Sequence, residues 1–143
     1  MQDPFLVRLP WGKDLLEAMT EVFVERAIPK ATFNVIGALR GCVLGYYDSR
    51  TRHYNRREFP EHVEIVSCMG NVSEKDGNVF VHAHVVIAGP DFVCYGGHLM
   101  PGSRIFAAEM YVMPLPGPVP VRTYDESTGL ALWGSERDQG NGQ

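Results

Sequence analysis

Apolar and polar residues alternate along most of this chain with the two-residue period of half-buried β-strands. One segment differs: from Lys13 to Ile28 the apolar residues recur every three or four positions, which predicts an amphipathic helix that Pro29 ends. A short strand from Phe5 to Leu9 precedes this helix. After it the pattern predicts strands at Thr32–Ile36, Leu39–Tyr47, His53–Phe59, Val63–Met69, Val79–Ala88, Phe92–Tyr95, Ile105–Met113, Val121–Tyr124 and Leu130–Trp133.

Turn residues separate these strands and suggest how they pair. Lys75–Asn78 contains Asp-Gly, the pair favoured in tight hairpin turns, and Asp48–Thr51 reads as another hairpin tip. Further turns are expected at Gly70-Asn71 and at Gly96-Gly97. The pattern therefore predicts an α+β fold, a mostly antiparallel β-sheet with one main helix packed on it. We expect a single domain over residues 1–134 and a polar, disordered tail over residues 135–143.

Composition narrows the range of functions. The 143 residues carry 13 Lys and Arg against 17 Asp and Glu, a net charge of −4, which disfavours a broad DNA-binding face. No apolar run approaches the roughly 18 residues of a membrane span, so no membrane partner is expected. The first ten residues lack the basic and apolar regions of a signal peptide, and the three cysteines form no CxxC pair. We therefore expect reduced thiols and a cytoplasmic location.

Three histidines form the main candidate site. His82 and His84 are two positions apart on a predicted strand, so their side chains share one face. His98 follows Gly96-Gly97 and can return beside them if the two strands form a hairpin. Three neutral imidazoles are a sound zinc site that leaves a fourth position open. The alternative is that these are ordinary polar residues on an exposed face, and His53 and His62, in charged loops, are expected to be solvated.

Two other candidates are less specific. Glu64, within a predicted strand, is a candidate catalytic residue that could act as a general base or orient a ligand. The alternative is that it is an outward-facing strand carboxylate. Glu109 is a weaker candidate for the same roles. Basic and aromatic residues interleave around the hairpin tip after Tyr47. This tip is either a solvated hairpin or a nucleic-acid or anion-binding surface whose candidate residues are Arg50, Arg52, Arg56 and Arg57.

Several stretches, taken in order, resemble the plant and prokaryote conserved (PPC) domain. The resemblance runs from about Phe5 to Leu130 and implies an α+β fold assembled as a homotrimer. Plant relatives join this domain to AT-hooks, but this chain has no Arg-Gly-Arg-Pro core, and only the prokaryotic branch implies a metal at the three histidines. The stretches that carry the resemblance are Gly37–Asp48, Val63–Asn71, His82–His84, Gly96–Leu99, Arg122–Asp125 and Thr128–Leu130.

Three functions remain open from the sequence. The first is a homotrimeric, DNA-associated or regulatory interaction module with zinc or another divalent transition metal at the histidines, in which the isolated domain binds DNA weakly. The second is a zinc-dependent enzyme that acts on a small molecule through metal-bound water, with Glu64 as proton carrier. The third is a structural trimer whose histidines are incidental.

Overall fold

A computed structural model describes residues 2–135 of the chain. It contains one helix and one large, mostly antiparallel sheet, so the predicted α+β class is confirmed. The expected disorder concerns residues 135–143, and positions 136–143 lie outside the described residues. The elements are β1 (Phe5–Leu9), α1 (Leu15–Glu25), β2 (Ala31–Asp48), β3 (His53–Lys75), β4 (Asn78–Ala88), β5 (Cys94–Leu99), β6 (Ile105–Pro114), β7 (Val121–Tyr124) and β8 (Ala131–Leu132).

The helix is fixed at its start by Asp14. One carboxylate oxygen accepts a hydrogen bond from the Glu17 amide at 3.1 Å, as an N-cap does, and the other accepts from the Gly102 and Ser103 amides. The apolar face is buried, with Leu15, Ala18, Met19 and Phe23 in the core. The helix ends at Glu25, three residues before its predicted end, because Ala27 already has a positive φ of 52°.

The sheet closes on itself around the core. One edge of β2 pairs with β3, and its other edge pairs first with β6 and then with β5. Because β3 also pairs with β4, and β4 with β5, these four strands form a closed ring. Helix α1 packs against β4 and β1, and β7 adds to the far end of β3 in parallel. Closure brings β4 and β5 beside the long β2–β3 hairpin.

Several predicted strands join into longer ones. The two strands predicted before and after Gly37 are one continuous β2, in which irregularities at Gly37 and Gly41 replace the expected break. No turn occurs at Gly70-Asn71, because β3 continues to Lys75 and the bare Cα of Gly70 lets the Phe33 ring pack against it. The turn predicted at Gly96-Gly97 is also wrong, since both glycines lie inside β5.

Two other local predictions are confirmed. The Asp76-Gly77 turn joins β3 to β4 with positive φ at both residues, as a primed hairpin turn requires. Strands β7 and β8 pair around the predicted loop.

All three cysteines are free thiols. Within residues 2–135 no helix is long and apolar enough to cross a membrane.

Candidate metal centre

Two neighbouring strands bring the three histidines together. On β4, His82 and His84 alternate with the buried Val81, Ala83 and Val85, so both imidazoles project from the outer face of the sheet. His98 on β5 is the direct Cα partner of His84 in the antiparallel register. The predicted grouping of the histidines is therefore present, although a strand rather than a turn carries His98.

The three rings are close enough to share one ion. Ring centroids are 5.1 Å apart for His82 with either neighbour and 5.7 Å for His84 with His98. One nitrogen from each residue can be chosen so that all three lie within 4.8 Å of one another. Two ligands of one zinc span up to roughly 4 Å, because each Zn–N bond is about 2 Å. Small side-chain rotations therefore suffice to complete the site.

The pKa values of His82 and His98 also fit a metal site. Burial, together with the neighbouring His98 and Arg122, lowers the pKa of His82 to about 4. Burial, followed by the charge of His84, also lowers the pKa of His98. The Nδ1 atom of His98 is buried without a hydrogen-bond partner among the described residues. Neutral imidazoles with an unsatisfied buried nitrogen are the donor set that zinc and similar ions bind.

Aromatic side chains from the β2–β3 hairpin cover one side of the cluster. The Tyr54 ring lies 4.8 Å from the His98 ring, and Tyr47 lies 5.1 Å from Tyr54, measured between centroids. Gly45 makes this approach possible: a Cβ there would lie 3.1 Å from the Tyr54 ring and 2.8 Å from the Met100 sulfur. Burial raises the pKa of Tyr54 above its already high usual value, so its phenol is protonated near neutral pH.

A cavity of about 330 Å³ opens beside His82 and His98. The rest of its lining consists of cationic side chains and of aromatic or apolar groups from the β2–β3 hairpin, from β4 and from residues 129–132. A volume of this size holds a small molecule only. The other lining residues are Tyr47, Arg52, Tyr54, Lys75, Phe80, Arg122, Gly129, Leu130, Ala131 and Leu132.

Arg122 is a further functional candidate, which the sequence shows only as the first residue of the family-like stretch Arg122–Asp125 and without a role. Only 6% of this residue is exposed. Its guanidinium donates hydrogen bonds to Ser73 Oγ at 2.8 Å, to Asn71 Oδ1 at 3.0 Å and to the Ala131 carbonyl at 3.1 Å. Burial lowers its pKa. Forty residues separate it from His82 along the chain, so only the parallel pairing of β7 with β3 brings the two together.

The structure does not bring Glu64 to the histidines. Glu64 is exposed and pairs with Ala88, four residues beyond His84 along β4, which is a separation of roughly 13 Å along a strand. Glu109 lies further away, on β6 between Arg8 and Ile36. The proposed proton carrier is thus separated from the site, because the β3–β4 register places Met69, and not Glu64, beside His84.

The four candidate arginines do not form one free basic surface. Arg50 is exposed at the hairpin tip. Arg52 donates to the Tyr124 hydroxyl and the Glu126 carbonyl and lines the histidine cavity. Arg56 pairs with Glu58 at 3.3 Å, and the Arg57 guanidinium lies within 5 Å of the Phe59 and Tyr95 ring centroids. Three of these cations therefore already make contacts within the chain.

A larger cleft of about 830 Å³ lies elsewhere, at the start of α1. It is wide open, and Asp14, Lys13 and Glu21 along its wall already bond to other groups of the chain. None of the histidines lines it. Size alone therefore does not make it the site, and the chemistry points to the cavity beside His82 and His98.

Comparisons with known proteins agree with this geometry. The sequence model of the Plants and Prokaryotes Conserved domain, abbreviated PCC or PPC, matches residues 1–116. Among solved structures, a metal-containing protein from Archaeoglobus fulgidus is 45% identical with a TM-score of 0.88, covering 94% of each chain. A PPC protein from Pyrococcus horikoshii is 34% identical with a TM-score of 0.89, covering 94% of this chain and 92% of that one.

A further solved structure introduces DNA. A protein from Bacteroides thetaiotaomicron, provisionally described as DNA-binding, is 25% identical with a TM-score of 0.86, covering 94% of this chain and 93% of that one. No curated protein matches the chain. One relative of the same fold is thus described as metal-containing, and another only provisionally as DNA-binding.

Proposed function

The chain belongs to the family of Plants and Prokaryotes Conserved (PCC) domains. We propose that it is a homotrimeric metal-binding module. His82, His84 and His98 hold the metal, and zinc is the ion that we assign. The observation that carries the proposal is the juxtaposition of three imidazoles within 4.8 Å beside a cavity. The module has a regulatory role that responds to what occupies this cavity, and any association with DNA is weak.

Zinc agrees best with the donor set. Three imidazole nitrogens without a thiolate or a nearby carboxylate suit zinc and its neighbours among the divalent transition metals, and disfavour magnesium and calcium. When bound, zinc supplies Lewis acidity at a coordination position that the three histidines leave open. The metal-containing relative from Archaeoglobus fulgidus, at 45% identity, supports a metal in this chain without naming the ion.

The outer face of the sheet supports self-association. Ile36 and Met69 project from this face and are 56% and 60% exposed. Large apolar side chains grouped on one sheet face are typical of a protein interface. The trimeric number comes from the family resemblance. The row of paired positions across this face runs Leu6, Tyr111, Asn34, Met69, His84 and His98, so the histidines lie at one end of it.

Charge argues against strong DNA binding by the isolated domain. The chain carries a net charge of −4. Of the hairpin-tip arginines, Arg56 pairs with Glu58 and Arg57 lies against the Phe59 ring, while Arg52 lines the histidine cavity. The DNA-binding description of the relative from Bacteroides thetaiotaomicron therefore transfers to this chain only as weak, phosphate-directed contact.

An enzyme acting on a small molecule is the second candidate. The open coordination position and the adjoining cavity favour it. Against it, no carboxylate lines this cavity among residues 2–135, and Glu64 lies too far away to move a proton there. The binding role therefore has the stronger support.

The test is elemental analysis of the untagged protein purified without added metal. We expect about one zinc per chain. The His82→Ala, His84→Ala, His98→Ala triple variant should lose it, whereas the His53→Ala, His62→Ala variant, which removes two histidines outside the cluster, should retain it. Equal metal content in both variants would refute the site.

A further inference from the structure

The cavity beside the histidines is lined by three cationic side chains. Lys75 Nζ lies 5.2 Å and Arg122 Cζ 5.1 Å from the centroid of the same Phe80 ring. Arg52 lines the cavity from the hairpin tip. Three cationic side chains thus surround a space of about 330 Å³.

No acidic side chain balances these charges within the part of the chain that is described. The cavity lining contains neither Asp nor Glu, and the ion pairs found among residues 2–135 are Lys13–Glu21 and Arg56–Glu58. Arg122 has uncharged partners, namely Ser73, Asn71 and a carbonyl. A buried cation that lacks a counter-ion is costly, and an anion from solution would relieve this cost.

The shape of the lining limits what that anion can be. The cavity is too small for a polymer, and Leu130 and Leu132 add apolar surface to its cationic lining. Arg and Lys together bind oxyanions, carboxylate or phosphate, more readily than other anions, since the guanidinium donates two parallel hydrogen bonds.

We propose that this cavity binds a small organic oxyanion, a carboxylate or a phosphate with a compact apolar body, through Lys75, Arg52 and Arg122. Phe80 and the apolar side chains of β8 contact the body of the ligand. Such a ligand lies beside His82 and His98, so it would be the molecule to which the metal centre responds. The binding itself is due to the cations and does not require a metal.

The experiment is calorimetric titration of the full chain, both zinc-loaded and chelated, with inorganic phosphate, with benzoate and with the neutral analogue benzamide. We expect one of the two oxyanions to bind both forms and benzamide to bind neither. Whichever oxyanion binds identifies the head group as phosphate or carboxylate. Lys75→Gln should weaken binding roughly tenfold, the usual cost of one charge-assisted hydrogen bond.

Matched variants keep the test decisive. Arg50→Gln removes the same charge at the exposed tip, outside the cavity, and should leave the affinity unchanged, while Arg52→Gln should weaken binding as Lys75→Gln does. Failure of both oxyanions to bind the wild type at about 10 mM would overturn the proposal. So would equal losses in Lys75→Gln and Arg50→Gln. Binding confined to the zinc-loaded form would also overturn it while leaving the metal site intact.

Discussion

His84 and His98 are direct Cα partners across β4 and β5, with ring centroids 5.7 Å apart. Because partners in an antiparallel pair project from the same face, this register fixes the distance between the two imidazoles without help from a loop. His82, two positions earlier on β4, completes the cluster. The centre is therefore held by backbone pairing on rigid strands.

Gly97 should be essential to this register. A Cβ at this position would lie 2.8 Å from the backbone oxygen of Gly45, so Gly97→Ala must push β5 away from β2. We expect it to cost about 1–3 kcal/mol of unfolding free energy and to weaken zinc binding. Gly96→Ala is the matched control, because its nearest contact is a Val86 methyl at 3.3 Å, and it should cost less. Urea unfolding of both variants measures the difference, and an equal cost would contradict this reading.

Assembly should depend on the exposed outer face of the sheet. Ile36→Glu combined with Met69→Glu places two charges on this face and should convert the trimer to monomers, since buried unpaired charges are costly. Val24→Glu, at a helix position that is 58% exposed, should leave assembly unchanged. Light scattering at micromolar concentration measures the mass. A monomeric mass for the wild type would show that the protein is not a trimer.

DNA binding should be weak and insensitive to sequence. In fluorescence anisotropy at ~150 mM salt we expect little binding to duplex DNA, and a steep gain in affinity as the salt is lowered. Arg56→Ala combined with Arg57→Ala should reduce the remaining binding. Tight, sequence-specific binding that survives both substitutions would favour a genuine DNA-binding role.

The metal-free protein should lose stability as the pH falls from about 6.5 towards 4. Burial and the neighbouring charges lower the pKa of folded His82 from 6.5 to about 4, so in this range the unfolded chain takes up a proton that the folded chain does not. The free energy of unfolding is therefore unaffected by the titration of His82 above pH 6.5 and decreases as the pH falls below this value. In urea unfolding with a chelator, stability should decline less steeply with falling pH for His82→Ala than for the wild type. Identical slopes for wild type and His82→Ala would refute the cause.

The local pattern predicted the strand face of the histidines because strand geometry repeats every two residues. That repeat alone places His82 and His84 together, and the Asp76-Gly77 turn fixes how β4 pairs with β3. The sequence misplaced Gly96 and Gly97, since glycine marks both turns and close strand approach, and only the neighbouring Gly45 backbone distinguishes the two.

The local sequence pattern does not predict contacts between segments that are distant along the chain. Arg122 reaches the site because β7 pairs with Glu74 and Lys75 at the end of β3. Nothing in the residue pattern of Val121–Tyr124 predicts this pairing. Glu64 was an attractive candidate by residue type, but its distance from the histidines depends on the β3–β4 register, including the irregularity between Ile65 and Ser67. Both outcomes depend on tertiary pairing, which alternation alone does not specify.

Calorimetric titration of zinc into the metal-free protein tests whether His82, His84 and His98 hold one zinc ion. We expect one ion per chain in the wild type. Each single alanine variant should weaken binding more than roughly 100-fold, since even residues that only support a ligand cost 10–100-fold. His62→Ala, whose imidazole lies against Phe106, should bind as the wild type does. Zinc binding by the triple alanine variant as tight as that of the wild type would show that these histidines do not hold the metal.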